Sequence, residues 1–142
     1  MKTEIDDIVD SYLETALWSS ADWDDMDDSN NPTPFDKHYS VEDFSELARK
    51  RAWDDCHEFV DLMKANTCNY NGDIVSLWEF AEHFAGIGQI GHDFWLTRNG
   101  HGAGFWDGDY DPYGDDITEL VNQHFHECNL FADDDGTVQM EG

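Results

Sequence analysis

The densest group of reactive side chains lies in one short stretch of the chain. It holds His92, Asp93, Arg98, Asn99 and His101. An arginine among so many acids can form a bidentate pair with a carboxylate, or it can hold a phosphate or carboxylate ligand. These five residues are therefore a candidate ligand site, and the alternative is a structural ion pair between Arg98 and a neighbouring acid. No nucleophile with an adjacent base is evident from the spacing, so no catalytic residue is assigned.

Aspartate is abundant and clustered. The chain has 23 Asp and 10 Glu, and 22 of these 33 acids lie in residues 1–40 and 101–142. Because Asp competes with the helix backbone for hydrogen bonds, its clusters are typical of loops, turns and helix starts. Each cluster is either solvated surface or a surface that binds a partner. The clustered residues are Asp22, Asp24, Asp25, Asp27, Asp28, Asp107, Asp109, Asp111, Asp115, Asp116, Asp133, Asp134 and Asp135.

One of these clusters resembles the start of a calcium-binding loop. Asp107, Asp109 and Asp111 alternate as the first ligands of an EF-hand loop do, but that loop needs Gly at its sixth position and Glu at its twelfth. This chain has Pro112 and Thr118 there. We therefore expect no EF-hand. Weak calcium binding by the three aspartates stays an alternative, and no other metal or cofactor is assigned.

The overall charge excludes several classes of function. Seven Lys and Arg against 33 Asp and Glu give a formal net charge of −26. Nucleic-acid binders neutralise phosphates with clustered Lys and Arg, and anionic membranes repel acidic proteins, so we expect direct contact with neither. No apolar run is long enough for a transmembrane helix, and the N-terminus lacks the apolar core of a signal peptide. The cysteines, Cys56, Cys68 and Cys128, lack CxxC spacing and are expected to be reduced thiols in the cytoplasm.

The aromatic content indicates a folded chain. Trp, Phe and Tyr make up 14% of the residues, whereas disordered acidic chains are poor in them. Most aromatics recur at helical spacing and are expected in the core. The exceptions are Trp23 and the group of Trp106, Tyr110 and Tyr113, which lie among aspartates. They are either exposed anchors for a partner or lids that fold back on the core.

Apolar spacing predicts three helices in the first ninety residues. Residues 4–18 show apolar positions three, four and seven apart, and residues 40–65 show a similar pattern behind a capping serine. Residues 22–34 are expected to form a loop. The turn signals at 69–72 break the chain, and a third helix is expected over 73–87.

The pattern then changes to one typical of strands. Residues 93–98 and 103–106 are expected to pair across an Asn-Gly turn. A fourth helix over 117–125 and a last hairpin over 130–140 complete the chain. The predicted fold is α+β, with about four helices packed on a small three- or four-stranded antiparallel sheet made of the two C-terminal hairpins.

No internal repeat or long linker divides the chain, so we expect a single domain over residues 1–142. Within it the composition distinguishes three parts. They are an acidic helical part (1–40), a helical core (41–90) and a hairpin-helix-hairpin part (91–142).

The segment GHDFWLTRNGHGAGFWD, residues 91–107, resembles one that recurs in small uncharacterised proteins of tailed bacteriophages. In those proteins it is followed by a helix and a terminal strand pair around an Asp-Asp-Gly type turn, similar to residues 116–140 here. The resemblance covers roughly the C-terminal half of the chain. It implies a phage-encoded protein in the cytoplasm of an infected host cell, and it implies no catalytic residue.

The acidity is also similar to that of phage DNA-mimic proteins of the anti-restriction and anti-CRISPR type. Duplex DNA presents one phosphate per ~1.7 Å of axis, and a rigid array of carboxylates can occupy a basic groove built for those phosphates. This hypothesis predicts a basic host nucleic-acid-binding protein as the partner. The clustered aspartates would make the contacts, with Trp23 and Tyr110 as apolar anchors.

Two other functions stay open. A small-ligand-binding protein or enzyme would use the group from His92 to His101, and replacing Arg98 and His101 would then abolish function. A salt-adapted acidic viral protein would carry its charge as a solvation device, with evenly spread acids and a stability that rises in molar salt. A homodimer is a further alternative for the partner.

Overall fold

A computed structural model describes residues 3–26, 28–100, 104–105, 110 and 112–141. The helices in this part of the chain are α1 (Glu4–Ser19), α2 (Glu46–Ala65), α3 (Leu77–Phe84), α4 (Ile87–Arg98) and α5 (Gly114–His124). The strands form three antiparallel hairpins, in which β1 (Ala21–Met26) pairs with β2 (Pro32–Pro34), β3 (Thr67–Tyr70) with β4 (Asp73–Ser76), and β5 (Asn129–Ala132) with β6 (Val138–Glu141). The α+β class is therefore confirmed.

Helix α1 forms where the apolar spacing predicts it. Thr3 caps it, because its hydroxyl accepts the N–H of Asp6 while the Asp6 carboxylate accepts the Thr3 N–H at 3.0 Å. The buried face of the helix packs mainly against α4. That face consists of Ile8, Val9, Tyr12, Leu13, Thr15, Ala16 and Leu17.

The second predicted helix begins later than expected, at Glu46. The capping pair of Ser40 and Asp43 is present, but it closes a short 3-10 helix that ends before Phe44. The chain is extended at Phe44, and the Ser45 side chain then caps α2. Phe44 is buried and bridges to β6, so the last hairpin is tied to the start of α2.

The largest departure from the predicted fold lies at residues 93–98, which form the second half of α4 and not a strand. Aromatic residues here favour a strand locally. The helix is buried on nearly every side, however, so its sequence shows no single apolar stripe. The Asn-Gly signal marks the helix end, because Asn99 caps α4 and Gly100 has a φ of 69°. The predicted return strand over 103–106 lies largely outside the described residues.

The predicted helix over 73–87 is divided in the structure. Its first residues form β4, Ser76 caps α3, and α3 ends at Phe84. Gly86 then adopts a φ of 84°, a backbone conformation that glycine reaches at little cost and that interrupts helical hydrogen bonding. Helix α4 can therefore start in a new direction at Ile87.

The predicted three- or four-stranded sheet is wrong in detail. The described strands form three separate two-stranded sheets, and of the two expected C-terminal hairpins the one described is β5–β6. Two hairpins were not expected from the sequence. Residues 22–34 pair as β1 and β2, and the break at 69–72 is the turn between β3 and β4, where Asn71 and Gly72 both have positive φ.

One hydrophobic core draws side chains from all five helices. Phe59 of α2 stacks on Phe94 of α4 with ring centroids 4.4 Å apart. Helices α1 and α4 approach so closely that a Cβ at Gly91 would collide with the carbonyl oxygen of Ile8. Among the described helices, none is both long and apolar enough to cross a membrane.

Candidate functional site

Arg98 is held inside the molecule at the end of α4. Its side chain is 3% exposed, and Nη1 lies 2.7 Å from Oδ2 of Asp55 on α2. The same nitrogen donates to the hydroxyl of Tyr12 at 2.9 Å, and Nε donates to the carbonyl of His126 at 2.9 Å. We call Tyr12, Asp55 and Arg98 the Arg98 cluster. The cluster joins α1, α2 and α4. Arg98 therefore forms the structural ion pair that the sequence left open as the alternative to a ligand site.

Burial and charge act against each other in the Arg98 cluster. Burial alone would lower the pKa of Arg98, but the neighbouring Tyr12 and Asp55 raise the pKa overall, so the guanidinium stays charged. Burial raises the pKa of Tyr12 well above its usual value, although Arg98 opposes this. The phenol therefore stays protonated at neutral pH. The pKa of the buried Cys56 thiol is likewise raised by burial, with Asp55 adding to the effect.

Asp93 is fully buried and is surrounded by donors. The hydroxyl of Tyr110 donates to Oδ2 at 2.7 Å, and Nε2 of Gln89 lies 3.0 Å from Oδ1. Nδ1 of His92 is 2.9 Å from the same Oδ1. We call Gln89, His92, Asp93 and Tyr110 the Asp93 cluster. Its carboxylate is a structural acceptor whose oxygens are already occupied.

The candidate ligand residues do not converge on one pocket. Asp93 and Arg98 are five residues apart on α4, so they point about 140° apart around the helix axis. Asn99 also has a structural role, because its Oδ1 accepts the N–H of Cys128 at 2.8 Å and its Nδ2 donates to the carbonyl of Trp95. His101 lies outside the described residues.

The side chain of His92 reaches the surface. It is 30% exposed, and its ring lies against that of Trp18 with centroids 5.6 Å apart and the ring planes inclined at 31°. A histidine whose Nδ1 is bound to a buried carboxylate can act as a base through Nε2. Among the described residues, no hydroxyl or thiol is hydrogen-bonded to this ring, so the pair lacks the nucleophile that such a mechanism needs.

Six of the predicted contact aspartates are exposed, and we call them the outer acids. They are Asp28, Asp115, Asp116, Asp133, Asp134 and Asp135. Asp22 and Asp25 of β1 are half-buried, and Asp25 lies 3.3 Å from Nε2 of His38. The prediction that these clusters lie in turns and helix starts holds at the first turn of α5, where Asp115 and Asp116 lie, and at the β5–β6 turn, but Asp22 and Asp25 lie in a strand.

The turn between β5 and β6 shows how an acid cluster can be ordered without being buried. Asp133 accepts the N–H of Asp134 at 2.8 Å, and Asp135 accepts both the N–H and the hydroxyl of Thr137. The hydrogen bonds from Thr137 lower the pKa of Asp135 below its usual range. The three carboxylates therefore project from a defined loop.

Several predicted site residues fall in parts of the chain that the structure does not describe. Five of them lie outside the described residues, namely Asp27, His101, Asp107, Asp109 and Asp111. The side chains of Trp23 and Asp24 lie outside them as well. The predicted calcium-binding aspartates are among them. In the part of the chain that the structure describes, no group of three His, Cys, Asp or Glu is arranged to hold a metal ion.

Tyr110 is a lid and not an exposed anchor. Its side chain is completely buried, with its ring centroid 4.8 Å from that of Phe105 and its hydroxyl bound to Asp93. Of the two alternatives that the sequence left open for this residue, the structure matches packing on the core. An exposed contact by this side chain would break the Asp93 cluster.

Most described cations lie on α2 and have local contacts there. Lys50 pairs with Asp54 at 2.7 Å, and Arg49 donates to the carbonyl of Phe44 at 3.3 Å. The Lys64 ammonium lies 5.7 Å from the ring centroid of Trp78. The outer acids have no cation within ion-pair distance among the described residues. Their charge therefore faces solvent.

A groove that the sequence did not predict lies between the C-terminal half of α1 and two 3-10 helices, Phe35–Lys37 and Val41–Asp43. It has a volume of about 430 Å³, and Trp18 in its wall is 49% exposed. Glu14 precedes Trp18 by four residues on α1, which places both on one helix face. The spacing of Glu14 and Trp18 was visible in the sequence. It did not show that residues 36–42, which are distant along the chain, would complete the groove.

Comparison with known proteins adds no relative. No protein-family model, no curated protein and no solved structure matches this chain.

Proposed function

We propose that this protein is an acidic decoy that occupies the basic nucleic-acid groove of a host defence or DNA-processing protein. One observation carries the proposal. Among the acidic side chains that the structure describes, Asp93 is the buried one, and the others are exposed or partly exposed. The folded surface therefore presents a dense field of carboxylates, which steers the protein towards a basic partner.

A row of exposed acids on one face of α2 adds to this field of carboxylates. On α2, Asp54, Glu58 and Asp61 are all exposed and follow one another at four and three residues, so they share one face. At 1.5 Å per residue, their axial spacings are about 6 and 4.5 Å. Phosphates of one DNA strand are about 3.4 Å apart along the axis. Along the axis, the acids on α2 are therefore spaced more widely than the phosphates, by a factor of about 1.3 to 1.8.

The resemblance of residues 91–107 to a segment of phage proteins also supports the proposal. A phage-encoded protein of this charge fits an inhibitor of the anti-restriction or anti-CRISPR type, acting in the cytoplasm of the infected cell. It binds no nucleic acid itself and needs no cofactor. The Arg98 and Asp93 clusters then belong to the scaffold, because their polar groups already bind one another.

The test starts with capture of a partner from host lysate by the immobilised full chain. The expected partner is a basic nucleic-acid-binding protein, which is purified and measured against duplex DNA. We expect DNA to compete for the partner and ~0.5 M salt to weaken the complex strongly, because the contacts replace phosphate contacts. A complex that tolerates both DNA and salt would contradict the proposal.

Two matched sets of charge-removing substitutions distinguish binding by a specific acidic surface from an effect of net charge alone. One variant carries Asp115→Asn, Asp116→Asn, Asp133→Asn and Asp134→Asn. The control carries Glu46→Gln, Asp73→Asn, Glu79→Gln and Glu82→Gln, which remove the same charge from exposed sites on α2, β4 and α3. We expect the first variant to lose about tenfold more affinity than the control, since charges at a contact act more strongly than distant ones. Equal losses would mean that only net charge matters.

Two controls address the other functions. His101→Gln changes a member of the candidate ligand site, and a decoy should bind its partner as before. A salt-adapted protein should instead gain stability in molar KCl whether or not a partner exists. A melting temperature that climbs steadily to ~2 M KCl, with no partner captured, would favour salt adaptation.

A further inference from the structure

The groove beside α1 combines an aromatic wall with a carboxylate rim. Trp18 and Tyr39 supply the aromatic rings, and Glu14, Asp36 and Glu42 supply the acids. All three acids are exposed. Among the described residues, no Lys or Arg lies within ion-pair distance of these three carboxylates. The nearest basic residue in sequence, Lys37, is exposed but is not part of the groove lining.

Trp18 is positioned before any partner arrives. Its ring lies against that of His92, with centroids 5.6 Å apart and the ring planes inclined at 31°, and the His92 ring is oriented by the buried Asp93 at 2.9 Å. The indole nevertheless keeps 49% of its surface exposed. An aromatic side chain that is held but uncovered loses little conformational entropy on binding, which is the property of an interface anchor.

The opposite wall of the groove is also fixed. Phe35 is buried, and its carbonyl accepts the N–H of Tyr39 at 2.9 Å. The Tyr39 ring packs on that of Phe35 with centroids 6.0 Å apart. The next turn is closed by Ser40, whose N–H donates to Asp43 at 2.8 Å. The carboxylates of the rim are thus carried on ordered backbone.

We propose that this groove binds the guanidinium of an arginine side chain on a basic protein. A planar guanidinium stacks on aromatic faces and binds carboxylates in pairs, whereas a lysine ammonium is a strongly hydrated point charge. The apolar side chains of Leu17 and Val41, which also line the groove, suit the methylene stem of arginine. The inference rests on the proposed function for the identity of the partner, but the groove is testable without one.

The probe is the tripeptide acetyl-Gly-Arg-Gly-amide, titrated into the full-length protein and followed by two-dimensional ¹H–¹⁵N NMR at ~0.15 M salt. The signals of the Trp18 indole and of the Ser40 and Val41 amides should shift together. The same peptide with citrulline in place of arginine keeps the shape but lacks the charge, and it should cause no such shifts. Shifts of equal size at the outer acids, or with citrulline, would overturn the proposal.

Two variants test the side chains that carry the argument. Trp18→Leu should weaken binding of the arginine peptide roughly two- to fivefold through loss of the cation–π contact. The matched control is Trp53→Leu, because Trp53 is 42% exposed and stacks on His57 at 4.9 Å but lies outside the groove. Equal weakening by both variants would overturn the proposal.

A second variant covers the case in which Trp18→Leu does not fold. Glu42→Gln changes an exposed rim residue, and it should weaken the arginine peptide about two- to threefold, as loss of one exposed ion pair does. An unchanged affinity would overturn the proposal. Failure of the decoy function would look different. In that case DNA would compete with the protein for no basic partner, although the groove would still bind the arginine peptide.

Discussion

The buried region around α4 and the acidic surface both contain carboxylates, but these carboxylates have different roles in the two regions. Inside, the carboxylates of Asp55 and Asp93 each meet several donors, and the single buried arginine among the described residues is shared by three groups. Outside, the outer acids face solvent without a described cation nearby. An acid in the first region maintains the packing of helices, whereas an acid in the second adds negative charge that would attract a basic partner.

This contrast explains why the chain can combine a net charge of −26 with a folded core. Repulsion between surface carboxylates is screened by water and salt. A buried charge without partners would cost several kcal/mol, and the described structure leaves none. Substitutions should therefore cost much stability in the interior and little at the surface, while their effects on partner binding should be the reverse.

The largest effect is expected for Arg98→Met. The change leaves Asp55 and the Tyr12 hydroxyl without their buried donor, so we expect a loss of about 3–5 kcal/mol in the free energy of unfolding. Urea denaturation measures it. The control Lys50→Met breaks an exposed pair with Asp54 and should cost about 0–1 kcal/mol. Similar losses for both variants would erase the distinction between the regions.

A steric test of the interior is Gly91→Ala. The added methyl group meets the backbone of α1 at Ile8, so α1 and α4 must move apart, at a cost of about 1–3 kcal/mol. Gly88→Ala lies on the same helix in open space and should be neutral or stabilising by up to about 1 kcal/mol. Thermal and urea unfolding of the pair give the difference, and equal stability would contradict the close approach of the helices.

Asp93→Asn tests whether the second buried acid is needed as an acceptor. An amide turns a donor towards Gln89, His92 or Tyr110, so one buried donor loses its acceptor, at a cost of about 1–3 kcal/mol. Tyr110→Phe removes one of those donors. A double-mutant cycle should therefore show coupling between positions 93 and 110. Additive losses would mean that the two side chains do not interact.

At the surface, the double change Asp28→Asn and Asp134→Asn should alter stability by less than about 0.5 kcal/mol. Both side chains are exposed and neither begins a helix. The same variant should slow association with a basic partner, because steering depends on surface charge. Stopped-flow association measured at two salt concentrations, with urea unfolding alongside, checks both expectations. A large loss of stability would place these acids in the fold rather than in the encounter.

The smallest effect is the titration of Asp135. Because hydrogen bonds from Thr137 lower its pKa in the folded protein, the stabilisation they bring is present at neutral pH and is lost as the pH falls through that lowered value. NMR titration of the Asp135 carboxyl carbon should give this pKa. In Thr137→Val the hydroxyl is gone and the pKa should move back up towards its usual value. An unchanged pKa would show that the backbone bond alone is responsible.

The sequence predicted those parts of the fold that depend on neighbouring residues. Helix α1 has a one-sided apolar pattern, and the β5–β6 hairpin has an Asp-Asp-Gly turn between short apolar runs, so both were correct. The helix over residues 93–98 was not predicted, because a helix buried on nearly every side shows no single apolar stripe in its sequence. The partners of Arg98 were not predictable for a related reason, since they are 43 and 86 residues away along the chain.

By itself, then, the sequence determined the acidity, the aromatic content, the amphipathic α1 and the turn chemistry, because each depends on composition or on residues a few positions apart. Only the tertiary structure decided that α4 is a helix, that Arg98 and Asp93 are structural, and that Trp18 rather than Tyr110 is exposed. It also joined Glu14 of α1 to the loop that carries Asp36 and Glu42. These outcomes depend on contacts between distant segments, which form only when the core packs.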